Sequence, residues 1–154
     1  CRRKFVEYWK TLSWDVVVED FGASFGSMRD IFVHSLEAEQ GWLRTLSNFT
    51  HGTNKNWPRH DYDAEFRDIE ALKKYMVEVE TESREYLGGL TRMDLDKIYP
   101  NVQVPVRVED VLMHVVEEEI HHRGELLCIM WQNDLEPPHK DWFDWLKETS
   151  IKTK

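Results

Sequence analysis

The run His114-Val-Val-Glu-Glu-Glu-Ile-His-His-Arg-Gly-Glu125 places carboxylates and imidazoles where a helix should present apolar side chains. Residues advance about 100° around an α-helix, so Glu118 and His122 point within about 40° of each other. Val111 and Ile129 share that direction, each about 20° from Glu118. The stripe facing the core therefore reads Val111, His114, Glu118, His122, Glu125, Ile129. Burying a carboxylate beside an imidazole is costly unless a partner compensates both groups. A divalent metal ion does so, taking the carboxylate's charge and the imidazole's lone pair together. The alternative is that Glu117-Glu118-Glu119 forms a solvated acidic face. Against it, only one of these glutamates shares the face of Val111 and Ile129.

Two ligands at i and i+4 do not complete a metal site, so a second helix must contribute. Ser27 and Asp30 form a Ser-x-x-Asp capping pattern that opens such a helix, expected to run to about Leu46. Its Ile31, His34, Ala38 and Trp42 recur at three- and four-residue spacings, which puts His34 on the inward face. His34, Glu118 and His122 then make a two-histidine, one-carboxylate set with open positions for water or substrate, unlike a closed structural site. Zn²⁺, Ni²⁺ and Fe²⁺ all suit these donors. His114, about 80° from His122, is read as supporting the ligands from behind, as is Glu125. His121 points away, and His51, His60 and His139 fall in loops without a partner pattern. Glu118-x-x-His121 and Glu119-x-x-His122 have the spacing used by di-iron bundles, but the second helix lacks the matching motif, so a single ion is expected. His-Glu-x-x-His is absent.

Two further helical patterns complete the chain. Residues 3–11 carry Phe5, Tyr8, Trp9 and Leu12 on one side, and Ser13 is placed to cap a short turn through Val16–Val18. Gly22 and Gly26 break the pattern. After a loop at 48–62, Phe66, Ile69, Leu72, Met76, Val79 and Leu87 predict a helix from about Asp63 to Leu87, stopped by Gly88-Gly89. Residues 95–107 read as a structured loop with a short strand pair. The helix bearing Glu118 runs from about Val108 to Gln132. A tail with Trp142, Trp145 and Leu146 is expected to pack across one end. The expectation is all-α: an antiparallel, up–down four-helix bundle in one domain spanning residues 1–154, with the metal between helices two and four. A start at Cys1, with so short a first pattern, predicts a first helix truncated at its N terminus.

The net charge of −9 argues against nucleic acid or an anionic membrane as partner, and no apolar run is long enough to span a bilayer. Cys1 and Cys128 are too far apart in sequence to suggest a disulfide framework. Cys128, among Leu126, Leu127 and Ile129, reads as a small buried hydrophobe. With no signal-peptide pattern, a cytoplasmic location is the default.

With these residues in hand, the chain resembles the DinB/YfiT-like family of metal-binding four-helix bundles over nearly all its length. The stretch from Gly22 to His34 resembles the family's entry into helix two, ending at a first ligand. Glu37, Glu39 and Trp42-Leu43 resemble the segment that follows. His114-Val and His121-His122-Arg123-Gly124 resemble its His-rich fourth helix, with the usual tail near Pro137-Pro138. Glu118 stands where the family commonly has histidine, and Glu125 where many members carry glutamine. Mycothiol-dependent maleylpyruvate isomerases, similar in fold, use a glutamate at the position of Glu118.

The resemblance implies a metal-dependent transferase that activates a low-molecular-weight thiol toward a small-molecule substrate, and it implies a homodimer. The other readings are a metal-dependent hydrolase using water and a non-enzymatic metal-binding stress-response bundle. Arg123, about 100° from His122, is expected to hold the bundle or a partner subunit.

Overall fold

A computed structural model describes residues 2–100 and 104–138. Cys1, His139 and the expected packing of Trp142, Trp145 and Leu146 lie outside the described residues. The described chain is mainly helical: α1 (Arg2–Trp9), α2 (Trp14–Val17), α3 (Met28–His51), α4 (Tyr62–Glu65), α5 (Ile69–Gly89), α6 (Arg92–Leu95) and α7 (Val108–Gln132). Strands β1 (Ile98–Tyr99) and β2 (Val106–Arg107) pair antiparallel, which is the short strand pair expected between the last two long helices.

Helix α3 opens as its sequence predicts, with the Ser27 hydroxyl accepting from the Asp30 N–H at 3.1 Å. The Asp30 carboxylate does not complete the reciprocal bond; it accepts instead from the Arg29 guanidinium at 2.7 Å. The helix continues to His51, past the expected end at Leu46, because Gly52 with φ 66° supplies the left-handed residue that ends it. The next long helix starts later than expected. Asp61 caps α4 and Asp68 caps α5, each accepting a backbone N–H three residues on, so the helical path begins twice. A further turn, α6, carries a reciprocal capping box between Thr91 and Asp94.

The topology departs from a simple up–down order. Helices α3 and α7 run antiparallel: Ser24, just before α3, meets Glu125, whereas Trp42 meets His114. Helices α3 and α5 run in the same direction, since Glu39 pairs with Ser83, Arg44 with Glu82 and Thr50 with Tyr86. The connection between them explains this. Trp57 lies against Gly41, the His60 N–H and Tyr62 hydroxyl reach Glu37, and Asp63 reaches Arg29. The chain therefore travels back along α3 by about three helical turns before α5 begins. A crossover of this kind is what bundles with parallel neighbours require.

Two apolar clusters form, separated along the axis. Phe5, Trp9, Phe32, Leu72, Leu126 and Met130 belong to one; Leu43, Leu46, Tyr86, Tyr99, Val108 and Val111 form the other beside the hairpin. The polar stretch of α7 spans the gap between them. Helix α1 has 8 residues against 25 in α7, and is too short to cover the length of α7. Beside Glu39 and Glu119, the partners of Arg2, a groove of about 530 Å³ stays open, lined by Leu43, Leu87, Leu112, Val116 and Ile120. Cys128 is exposed rather than buried. It points about 200° from Leu126 and so away from the face that Leu126, Ile129 and Met130 bury.

Candidate metal centre

Helix geometry brings the predicted residues together. His34 of α3 and Glu118 and His122 of α7 present donor atoms that all lie within 4.8 Å of one another. The two imidazole rings meet edge to face with centroids 4.9 Å apart. His122 is 5% exposed, and its two nitrogens face two different carboxylates. Nε2 lies 3.3 Å from Glu118 Oε2, and Nδ1 lies 2.8 Å from Glu125 Oε2. A proton on Nδ1, donated to Glu125, leaves the Nε2 lone pair facing Glu118 and His34.

The carboxylates between helices are balanced in two ways. Several carboxylates between helices meet a strong cation: Glu39 and Glu119 meet Arg2, Glu80 meets Arg3, and Glu82 meets Arg44 and Lys55; Glu37 and Glu125 instead accept from neutral donors and a histidine. Glu118, 27% exposed at its side chain, has the imidazoles of His122, His114 and His34 near it and no ion pair with lysine or arginine among the described residues. Burial, followed by the neighbouring His122, holds the His34 pKa below its ordinary 6.5, which favours the neutral, ligating form. Burial raises the Glu125 pKa, but hydrogen bonds from Ser24 and His122 outweigh it and the net shift is downward.

This donor set fits a divalent ion. Two ligands about 2.1 Å from a tetrahedral ion sit about 3.4 Å apart, close to the separation of Glu118 and His122. Two carboxylates and two neutral imidazoles also balance a charge of +2. A second grouping, His121, His122 and Glu125, lies along α7 alone and includes an exposed histidine. His114 stands 3.8 Å from Glu118, beyond hydrogen-bonding distance, with its ring against Trp42. The Glu-x-x-His pairs do not act as units, because Glu119 is engaged by Arg2 and His121 is exposed.

Several neighbours of the site carry no periodic signal and were not anticipated. Phe25 stacks on His34 at 3.8 Å between centroids and meets the edge of His122. It is held by the turn between Gly22 (φ 71°) and Gly26 (φ 83°), so these glycines shape the site as well as ending a pattern. A cavity of about 590 Å³ also opens beside His34, walled by Ala38, Trp57, Arg59, His60 and Tyr62. His60, expected to lack partners, donates its N–H to Glu37 and places Nδ1 2.7 Å from Glu65. His51 ends α3 against the Tyr86 ring.

A mainly helical chain with a two-histidine, one-carboxylate cluster between two long helices, His34 bordering a cavity, defines a class of candidate metal proteins. The sequence profile of the DinB family matches residues 2–152, and the chain belongs to that family. No curated protein matches the chain significantly. Among the described residues, no helix is long and apolar enough to cross a membrane.

Proposed function

We propose that the protein binds one divalent metal ion through His34, Glu118 and His122, within a four-helix bundle of α1, α3, α5 and α7, and uses it to activate a thiol for transfer to a small-molecule substrate. The observation that carries this reading is Glu118, a partly buried carboxylate that pairs with no lysine or arginine among the described residues and lies 3.3 Å from His122 Nε2. A bound divalent ion supplies Lewis acidity that lowers the pKa of a thiol or water beside it.

The chain's own residues do the rest. Glu125 keeps the proton of His122 on Nδ1 and fixes the ring. Glu118 balances charge, and Phe25 shields His34 from solvent on one face. The cavity beside His34 leaves room for a substrate, and that room favours a reactive site over a closed structural one.

Cobalt-loaded protein, titrated with a small thiol, tests the reading by absorption spectroscopy. A sulfur-to-cobalt charge-transfer band, absent in His122→Ala, is the expected result. No band, together with metal-dependent ester hydrolysis, would replace the thiol by water. Stoichiometric metal with neither behaviour would make the ion structural.

A further inference from the structure

The crossover segment builds one wall of the cavity beside His34, and its construction is specific. Trp57 remains 45% exposed although its ring lies flush against α3. A methyl group at Gly41 would fall 2.4 Å from that ring, so this mid-helix position must stay glycine for the indole to seat. The Trp42 ring meets it edge-on at 5.6 Å. Three residues further along, the His60 N–H is held at 3.1 Å by Glu37, whose other oxygen accepts from the Tyr62 hydroxyl. Burial, then the bond to Glu37, pushes the Tyr62 pKa far above its ordinary value, so this hydroxyl stays a donor. Arg59 is therefore carried between two anchored neighbours.

Arg59 itself has no hydrogen bond or ion pair among the described residues, and it is the one lysine or arginine lining the cavity. The carboxylate that lines the cavity, Glu37, already accepts from His60 and Tyr62. An uncommitted guanidinium beside an exposed, positioned indole fits a ligand with a planar apolar body and an anionic end.

We propose that this cavity binds a small acid with a planar apolar body, its carboxylate held by Arg59 and its flat face covered by Trp57, with its other end toward His34. The inference deepens the metal-centre reading and rests on it. It names the class of substrate that centre would meet: an aryl or unsaturated carboxylic acid in preference to its neutral counterpart.

Isothermal titration calorimetry of zinc-loaded protein with 4-(mercaptomethyl)benzoate and its primary amide tests this. The pair shares the thiol and the arene and differs in charge at the far end. The acid is expected to bind about tenfold more tightly than the amide. Arg59→Gln should remove that preference and leave amide affinity and zinc content unchanged, and Arg59→Lys should restore part of it. Trp57→Ala should weaken both compounds. Equal affinities in the parent, no binding of the acid, or a preference that survives Arg59→Gln would overturn the proposal. The metal reading is judged separately by zinc content, so it stands or falls independently of these affinities.

Discussion

At the scale of single residues, the site depends on which nitrogen of His122 carries its proton. Glu125 holds Nδ1 and leaves Nε2 to face Glu118 and His34. Glu125→Ala should therefore weaken zinc binding by about 10- to 100-fold without removing a ligand, as loss of an orienting partner does elsewhere. Competition with a chromophoric chelator measures this, and unchanged affinity would show that Glu125 does not orient the ring. Gly41 makes a second residue-level argument. Alanine at an ordinary helix interior gains about 1 kcal/mol over glycine. Here the added carbon meets the Trp57 ring at 2.4 Å, and the ring must leave its seat. Gly41→Ala is expected to destabilise by about 1–3 kcal/mol, as overpacking does. A urea midpoint that rises instead would contradict the packing described for the crossover.

At the scale of elements, the parallel pair α3 and α5 is tied to the crossover by Glu82. Its carboxylate accepts from Gln40 at 2.9 Å, from Arg44 and from Lys55 at 2.7 Å. Burial raises its pKa, but those bonds prevail and bring it from 4.5 down to about 2. A depressed carboxylate stabilises the fold above its unfolded pKa, and that contribution fades as pH falls from 4.5 toward 2. Glu82→Gln should lower the urea midpoint at pH 7 and flatten the loss of stability through this acid window. Parallel curves for the parent and Glu82→Gln would show that Glu82 does not carry the effect.

The same elements show what a sequence can and cannot disclose. The convergence of His34, Glu118 and His122 was legible because helical period is local: the spacing of Val111, Glu118 and Ile129 already fixes which way Glu118 points. The strand pair and the start of α3 followed from equally local signals. The direction of α5 did not. It depends on residues 52–68 folding back along α3, and that path is set by Glu37, Gly41 and Arg29 meeting residues distant in sequence. Nothing periodic marks Phe25, Trp57 or His60 as neighbours of the site. Cys128 failed for a simpler reason: apolar neighbours in sequence lie on another face of the helix.

For the whole molecule, a metal held as proposed between α3 and α7 would join parts of the chain that are far apart in sequence, and its removal would be felt globally. A ligand bound only to the folded state at about 100 times its Kd adds about 2.7 kcal/mol. For a chain of this size that corresponds to a rise of roughly 5–10 °C in Tm. Thermal unfolding of zinc-loaded and chelator-stripped protein should differ by that amount, and His34→Ala should abolish the difference. Coincident transitions in the parent would mean that the cluster holds no ion in the folded protein.

The most direct test is elemental analysis of the full chain purified without a metal-affinity step, beside His34→Ala, Glu118→Ala and His122→Ala. About one equivalent of a divalent metal is expected in the parent, as a mononuclear site requires, and its loss in each variant. A parent that takes up no metal even after reconstitution, or variants that retain a full equivalent, would contradict the metal-centre reading.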